Sequence, residues 1–297
     1  MAFTAGGATQ GAVLIKEQYQ AAVTDAVYIN NQFAPLFRRQ TQQGGRYVNW
    51  IVHKSGNTSV EIFTEGQGTP NSGGQGYGLA QVAPTYIRAM VEVTGHAKDA
   101  MQSNYANGID MEISSAANDM ADLFTTSFLG GTYGLELAID AGSTYAGIAR
   151  GSAAYWESTE TAHNAVLSFS GLQDLNEAIH DNDKGGNPKM VLCPWNQVTN
   201  VYNLGGMPFI KAAGPQDQAP SSLAPTWNGM PVTGIGDMTD TVIVLFDPAD
   251  CALVETRPFT VDFQGRSGDA NVYQLSMAIA FVVWNPKLHG KLTGVTA

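Results

Sequence analysis

Between Thr85 and Gly131 the chain runs from one extended segment into one long amphipathic helix, and few folds can use that pair. The extended part, TYIRAMVEV, places the β-prone or small residues Tyr86, Ala89, Val91 and Val93 among polar ones. The helix is predicted over 107–129. Ile109, Ile113, Ala116, Ala117, Met120, Leu123 and Phe124 recur at three- and four-residue steps and form one face. Asn107 suits the N-cap, Asp110 and Glu112 fall where the helix dipole favours negative charge, and Gly130-Gly131 ends the run. A helix of this length spans roughly 30 Å, about the width of a small domain. Nothing in it suggests catalysis; it is a scaffold element.

What precedes it is unusual. From Val13 to Phe33 a helical pattern carries a broad apolar face, with Ile15, Tyr19, Val23 and Val27 on it, and Pro35 ends it. This is an amphipathic arm, either an ordinary core helix or a piece that packs on another subunit. Arg38 to Gly45 reads as a polar linker, and Tyr47 to Val52 as a strand. Gly56 to Val82 is then rich in Gly, Ser, Thr and Gln, with only Val60, Ile62 and Phe63 as apolar anchors. The result is a long two-stranded excursion with the polar tip GQGTPNSGGQGYG. A loop this long without a core is rare in a compact monomer, and an isolated hairpin is barely stable in water. It is expected to lie on another subunit, through Val60, Ile62, Phe63 and Tyr77.

After the helix, Leu135–Ile139 and Tyr145–Ile148 read as short strands and 154–169 as loop. GLQDLNEAIHD from Gly171 reads as a helix capped by Ser170. Met190–Cys193 is a buried strand, and Pro194 opens another helix. Residues 205–224 are Gly- and Pro-rich, a surface loop. The remainder is β-rich: MPVTGI, TVIVLF, CALVETR and FTVDFQ as short strands, a turn at Asp247-Pro248-Ala249-Asp250, a long strand from Asn271 to Trp284, and a last strand over 289–295.

Composition narrows the function. Only 14% of the 297 residues are charged, against a usual quarter, so large surfaces are expected to meet protein rather than water. A net charge of -11 argues against wrapping nucleic acid through a basic face. Cys193 and Cys251 do not make a disulfide framework. The start carries no secretory signal pattern and no apolar run is long enough to cross a bilayer, so the Asn57-Thr58-Ser59 sequon reads as chance.

Motifs that would give chemistry a foothold are missing: no Walker A sequence, no GxGxxG, no GxSxG, no HExxH. The tip at Gly66 to Gly78 lacks the strand, helix N-terminus and lysine of a phosphate cradle. His180, Asp181, Asp183 and Gly185 faintly suggest a calcium loop, but Leu192 stands where its bidentate glutamate belongs. His53, His96, His163, His180 and His289 have no metal spacing. Asp119 and Asp122 read as a solvated helix face, Cys193 as a small buried hydrophobe, and Trp195, Trp227 and Trp284 as packing anchors. So bare a chain points to a structural role, with no cofactor and no enzymatic activity.

The order of these pieces resembles the major capsid proteins of tailed bacteriophages, the Hong Kong phage capsid fold, an α+β architecture. The likeness rests on the hairpin, strand and helix of residues 45–131 (VEVTGHAKDAM, then GIDMEI), on MVLCPWNQVTNVY, PVTGIGDM and DPADCALVETR, on a long hairpin around QGRSGDAN, and on the ending MAIAFVVWNPKLHGKLTGV. It covers nearly the whole chain. It implies an N-terminal arm over 1–44, an E-loop over 45–97 and a peripheral domain over 98–150 whose spine helix is 107–129. An axial domain over 151–254, a peripheral β-arm hairpin over 255–284 and a return to the axial domain over 285–297 complete it. The implied function is to close an icosahedral shell of hexamers and pentamers around double-stranded viral DNA, assembled in the host cytoplasm and found in the virion. The acidic charge fits a shell that holds DNA without gripping it. Implied partners are further copies of the chain, a separate scaffolding protein, a portal protein, a cement or decoration protein, and DNA bound without sequence specificity; no membrane is involved.

Two departures from the family pattern matter. Many members begin with a long charged helical scaffold segment; here Met1 leads almost directly into the arm, which implies a separate scaffold or none. Some members weld subunits through Lys–Asn isopeptide bonds with a buried glutamate as catalyst. Lys54 in the E-loop and Asn271 near the β-arm turn offer the reacting groups, yet residues 270–297 contain no Asp or Glu, so no cross-link is expected. Two other readings compete with the phage shell: an encapsulin-type nanocompartment of the same fold, and a soluble β-rich enzyme or carbohydrate-binding protein.

Overall fold

A computed structural model of the chain describes residues 33–42, 45–69, 72–95, 105–131, 134–181, 185–204 and 226–296. The arm residues Ile15, Tyr19, Val23 and Val27 lie outside the described residues, as do the 205–224 loop and His96.

The long helix is present as α1, Tyr105–Gly130. It is already under way before Asn107, which therefore sits in the first turn rather than at the cap. Ile109, Ile113, Ala117, Met120 and Phe124 are buried as their spacing requires, joined by Ala121 and Phe128. Leu123, assigned to the same face, is half-exposed instead. Beneath α1 lies a four-stranded sheet in the order β1-β12-β13-β4, from Arg38–Thr41, Cys251–Ser267, Ala270–Val283 and Thr85–Val93. Strand β4 turns Ile87, Val91 and Val93 into the core it shares with the helix, and leaves Tyr86, Arg88, Met90 and Glu92 on the open face.

Three expectations are corrected here. Arg38 to Gly45 is not simply a linker, because Arg38–Thr41 pairs in parallel with 252–255 of β12. Its side chains stay mostly outside, so it is an edge strand held by its main chain and by the anchors before it: Phe33 and Phe37 stack near Phe281, at ring distances of 5.7 and 5.0 Å. CALVETR and FTVDFQ are one strand, β12. Pro258 is accommodated because Pro258 and Phe259 oppose the single residue Met277 in a bulge, and β1 stops pairing at Glu255 before the proline is reached. Leu135–Ile139 is not a strand: Leu135–Ala138 is a helical turn, α2.

A second sheet of six strands has the order β7-β14-β11-β8-β10-β9. These are Thr159–Ala162, Gly290–Thr293, Ile243–Phe246, Met190–Pro194, Met230–Ile235 and Thr226–Trp227. Its central strands are continuous apolar runs because both faces are covered. Ile243, Leu245, Val191 and Cys193 join the core that includes Leu172, Leu175 and Ile179 of α3 (Phe169–His180) and Val198 and Val201 of α4 (Trp195–Asn203). Val244, Phe246 and Leu192 face the other way and join the core of α1 and the first sheet. Alternation along β11 therefore fastens the two halves together. Helix α3 is capped by Ser168, which accepts from the Gly171 amide at 3.1 Å, rather than by Ser170. Residues 154–169, expected to be loop, hold a short 3-10 turn and the edge strand β7. The remaining strands are β2, Val48–Ser55, with β3, Gly76–Val82, and the small pair β5, Thr144–Tyr145, with β6, Ile148–Ala149.

Candidate inter-subunit surface

Among the described residues, strands β2 and β3 pair only with each other. At the root, Val48, Ala80 and Val82 are buried, and Trp50 stacks at 5.3 Å from Trp284 and 6.3 Å from Trp156. The indole Nε1 of Trp50 donates to the Trp284 carbonyl at 3.2 Å, and the Gln81 amide donates to Ala146 O at 2.9 Å. Beyond the root the ribbon leaves the core.

The opposite face of the ribbon is an uncovered stripe. Register pairs Ile51 with Leu79 and His53 with Tyr77, so all four project to one side. Ile51 is 74% exposed, and the His53 and Tyr77 rings lie 5.6 Å apart. At the tip the polar side chains bond to one another: Asn57 Oδ1 accepts from the amide and hydroxyl of Ser59, Gln67 Nε2 donates to Glu61, and the Thr64 amide donates to Gln67 Oε1. Gly73 closes against this turn where any Cβ would collide with Asn57 and Ser59. The apolar side chains point out: Val60 is 81%, Ile62 98% and Phe63 73% exposed. Among the described residues they do not join the core. Scattered apolar residues on a surface are ordinary; this many on one excursion make it the candidate contact surface.

The candidate residues Val60, Ile62, Phe63 and Tyr77 thus share one excursion. Sequence reasoning missed Ile51 and Leu79, although the phase set by Val48, Trp50 and Val52 already placed Ile51 on the other face. Tyr86 and Met90 were missed in the same way, on the open face of β4. Lys54 is exposed and its stem lies over Gly78, while Asn271 accepts from Arg266 Nε at 3.3 Å in a different sheet. Trp195, expected as a packing anchor, is half-exposed and lies flat on Gly234, whereas Trp227 is buried.

Behind the ribbon is a joint built on Arg150. Its guanidinium is fully buried and donates to the carbonyls of Leu137 at 2.9 Å, Trp156 at 3.3 Å and Ala138, so it closes the C-terminal end of α2. It also lies 5.5 Å from the Tyr145 ring centroid. Burial lowers its pKa to about 10, leaving it charged at neutral pH. The helical turn at Leu135–Ala138 agrees with the helix propensity of Leu, Glu and Ala, and this cation caps its free carbonyls. Nearby, Lys291 reaches Asp140 at 3.4 Å and Glu160 at 3.7 Å. Burial alone would raise the Asp140 pKa, but the Gly142 amide, the Lys291 charge and the Ser143 amide together hold it below the usual carboxylate value. Among the described residues no cluster of His, Cys, Asp and Glu could hold a metal, and no helix is long and apolar enough to cross a membrane.

A spine helix over a four-stranded sheet, a ribbon outside the core and a second sheet flanked by helices define the Hong Kong phage capsid fold. The chain superposes on the capsid protein of cyanophage A-1(L) with a TM-score of 0.67 at 15% identity, covering 89% of this chain and 91% of that one. For Mycobacterium phage Adephagia the values are 0.61 and 13%, over 92% and 90%. For the SrpI encapsulin of Synechococcus elongatus PCC 7942 they are 0.60 and 12%, over 88% and 86%. Residues 229–296 match the family model described as SU10 major capsid protein. No curated protein matches the chain in sequence. The chain has the fold of tailed-phage major capsid proteins, and its C-terminal part matches a family of such proteins.

Proposed function

We propose that the chain assembles as hexamers and pentamers into an icosahedral shell around double-stranded viral DNA, with the β2–β3 ribbon lying over an adjacent subunit. The observation that carries this reading is the ribbon itself: Ile51, Leu79, Val60, Ile62 and Phe63 are apolar and left exposed among the described residues. The arm face of Ile15, Tyr19, Val23 and Val27 supplies a second contact, at a subunit boundary or against α1. A net charge of -11 suits a container that does not bind DNA tightly. A scaffolding protein, a portal protein and a cement protein are the partners that suit such a shell.

Negative-stain microscopy of the expressed protein tests this. Shells or capsomers are expected; uniform small particles would defeat it. Replacing Ile62 and Phe63 together by Ser should leave a folded subunit that assembles poorly, because exposed side chains contribute little to the stability of the monomer. Deleting 66–78 should do the same, and so should Val23→Asp with Val27→Asp. The likeness to an encapsulin supports a second reading, a shell that encloses an enzyme. Particles purified from the native source separate the two: double-stranded DNA inside supports the first, a protein cargo the second.

A further inference from the structure

His289 stands where β14 enters the six-stranded sheet. Its carbonyl accepts from the Thr159 amide of β7 at 3.1 Å, and the next residue, Gly290, pairs with Leu245 of β11. The side chain is completely buried. Its Nδ1 lies 3.3 Å from the Asp247 amide nitrogen, which can only donate. Nδ1 is therefore the acceptor, and the ring proton sits on Nε2. Among the described residues no protein group accepts from Nε2. The geometry holds a neutral imidazole between three strands, tied by one hydrogen bond that only its unprotonated nitrogen can make.

We propose that His289 is an acid-sensitive latch: taking up one proton breaks its bond to the Asp247 amide and loosens β14 from between β7 and β11. An imidazolium donates from both nitrogens, so the new Nδ1–H would face the Asp247 N–H, and a buried cation would have no acceptor on either side. The carboxylate whose charge reaches the ring is that of Asp247. It is already engaged by the Lys189 ammonium and the Ala249 amide, with Asp250 behind it on the same turn. On β7, Glu160 is paired with Lys291 of β14, and α3 brings the apolar Leu175 and Ile179 against Gly290. Lys287, on the turn that precedes His289, is a further buried basic residue. Burial holds the His289 pKa down at about 4 although Asp247 pulls it upward. The folded state therefore binds fewer protons than the unfolded chain between that value and the ordinary histidine pKa of roughly 6.5. The latch is closed above this window and opens as pH falls through it. Because β14 lies between β7 and the rest of the sheet, its release detaches β7 as well.

Hydrogen exchange of the full chain, corrected for intrinsic rates, tests this. Protection of Gly290–Thr293 and Thr159–Ala162 should fall between pH 6.5 and 4, by up to roughly tenfold per unit. His289→Gln, whose Oε1 can still accept from the Asp247 amide, should be protected at neutral pH and lose that acid dependence. The same acid dependence in the glutamine variant would overturn the proposal. If that variant does not fold, deuterium uptake at the imidazole carbon of His289 in the unaltered protein decides. A low pKa that coincides with loss of strand protection supports the latch; an ordinary one, or strands that stay protected in acid, refutes it.

Discussion

The phenol oxygen of Tyr145 accepts a hydrogen bond from the Val283 amide at 2.8 Å, across a sequence separation of 138 residues. Tyr145 is completely buried at the small β5–β6 turn, and Val283 is the last residue of β13. The Tyr145 carbonyl accepts from Trp156 Nε1 at 3.2 Å, and Arg150 lies over its ring. One side chain thus links the end of the longest hairpin to the joint at the root of the ribbon. Burial pushes the phenol pKa well above its ordinary value, so it stays neutral at any pH the fold survives.

Tyr145→Phe keeps the ring and removes the oxygen. The Val283 amide is then buried without a partner, which costs about 1–3 kcal/mol. Thermal unfolding should show the loss. An unchanged midpoint would mean that the amide finds another acceptor.

How far the fold was legible follows from which forces set each element. The α1 face, β4, the buried strand at Met190 and the long strand after Ala270 all carry periodicity strong enough to read directly. Leu135–Ala138 shows the ambiguity of a short run: Leu135, Leu137 and Ile139 alternate as a strand would, while Leu, Glu and Ala all favour the helical turn that forms and that Arg150 caps. Arg38–Thr41 looked like a linker because an edge strand needs no apolar alternation when its backbone pairs with β12 and its anchors, Phe33 and Phe37, come before it. CALVETR and FTVDFQ looked separate because Pro258 normally ends a strand; only the register opposite Met277 shows the bulge that spares it. Leu123 and Trp195 failed for another reason. Spacing says which side of a helix a residue is on, but not how far the neighbouring element extends. The contact surface was legible as a polar excursion, yet the outward turn of Ile51 and Leu79 needed the pairing of β2 with β3.

Trp50→Ala should free the ribbon without unfolding the chain. The indole is partly buried, so the loss should fall below the roughly 3–5 kcal/mol of a fully buried tryptophan, and it should stay local. Limited proteolysis is expected to cut within 53–76 faster than in the unaltered protein, while the global unfolding midpoint moves little. A large drop in that midpoint would place Trp50 in the common core.

Both thiols should be inert in the folded protein. Cys193 is buried and its pKa is pushed up to about 12, and burial raises Cys251 still more clearly, helped by the charges of Asp250 and Asp247. The thiolate is the reactive form, so an aromatic disulfide reagent at neutral pH should label neither until denaturant is added. Rapid labelling of either under native conditions would show that its strand opens.

The last expectation is that subunits are not welded covalently. A lysine attacks an amide only as the neutral amine, and an ordinary lysine is protonated at neutral pH, so a positioned acid or base is needed. Lys54 and Asn271 supply the two reacting groups. Asp262 is the carboxylate nearest to Asn271 on the neighbouring strand, and register decides against it. Asp262 pairs with Gln274, while Asn271 pairs with Arg266 and Val93. Strand β13 runs without a bulge against β4, so Asn271 and Gln274, an odd number of residues apart, project from opposite faces of the sheet. Asp262 lies with Gln274 on the open face, and Asn271 lies with Tyr273 and Leu275 on the face toward α1. Glu92, opposite Val272, is on the open face as well. Assembled particles boiled in SDS should therefore run as one band near 31.5 kDa. A ladder of covalent oligomers that disappears with Lys54→Ala would show that another carboxylate, Asp269 in the β12–β13 turn or one from a neighbouring subunit, completes the site.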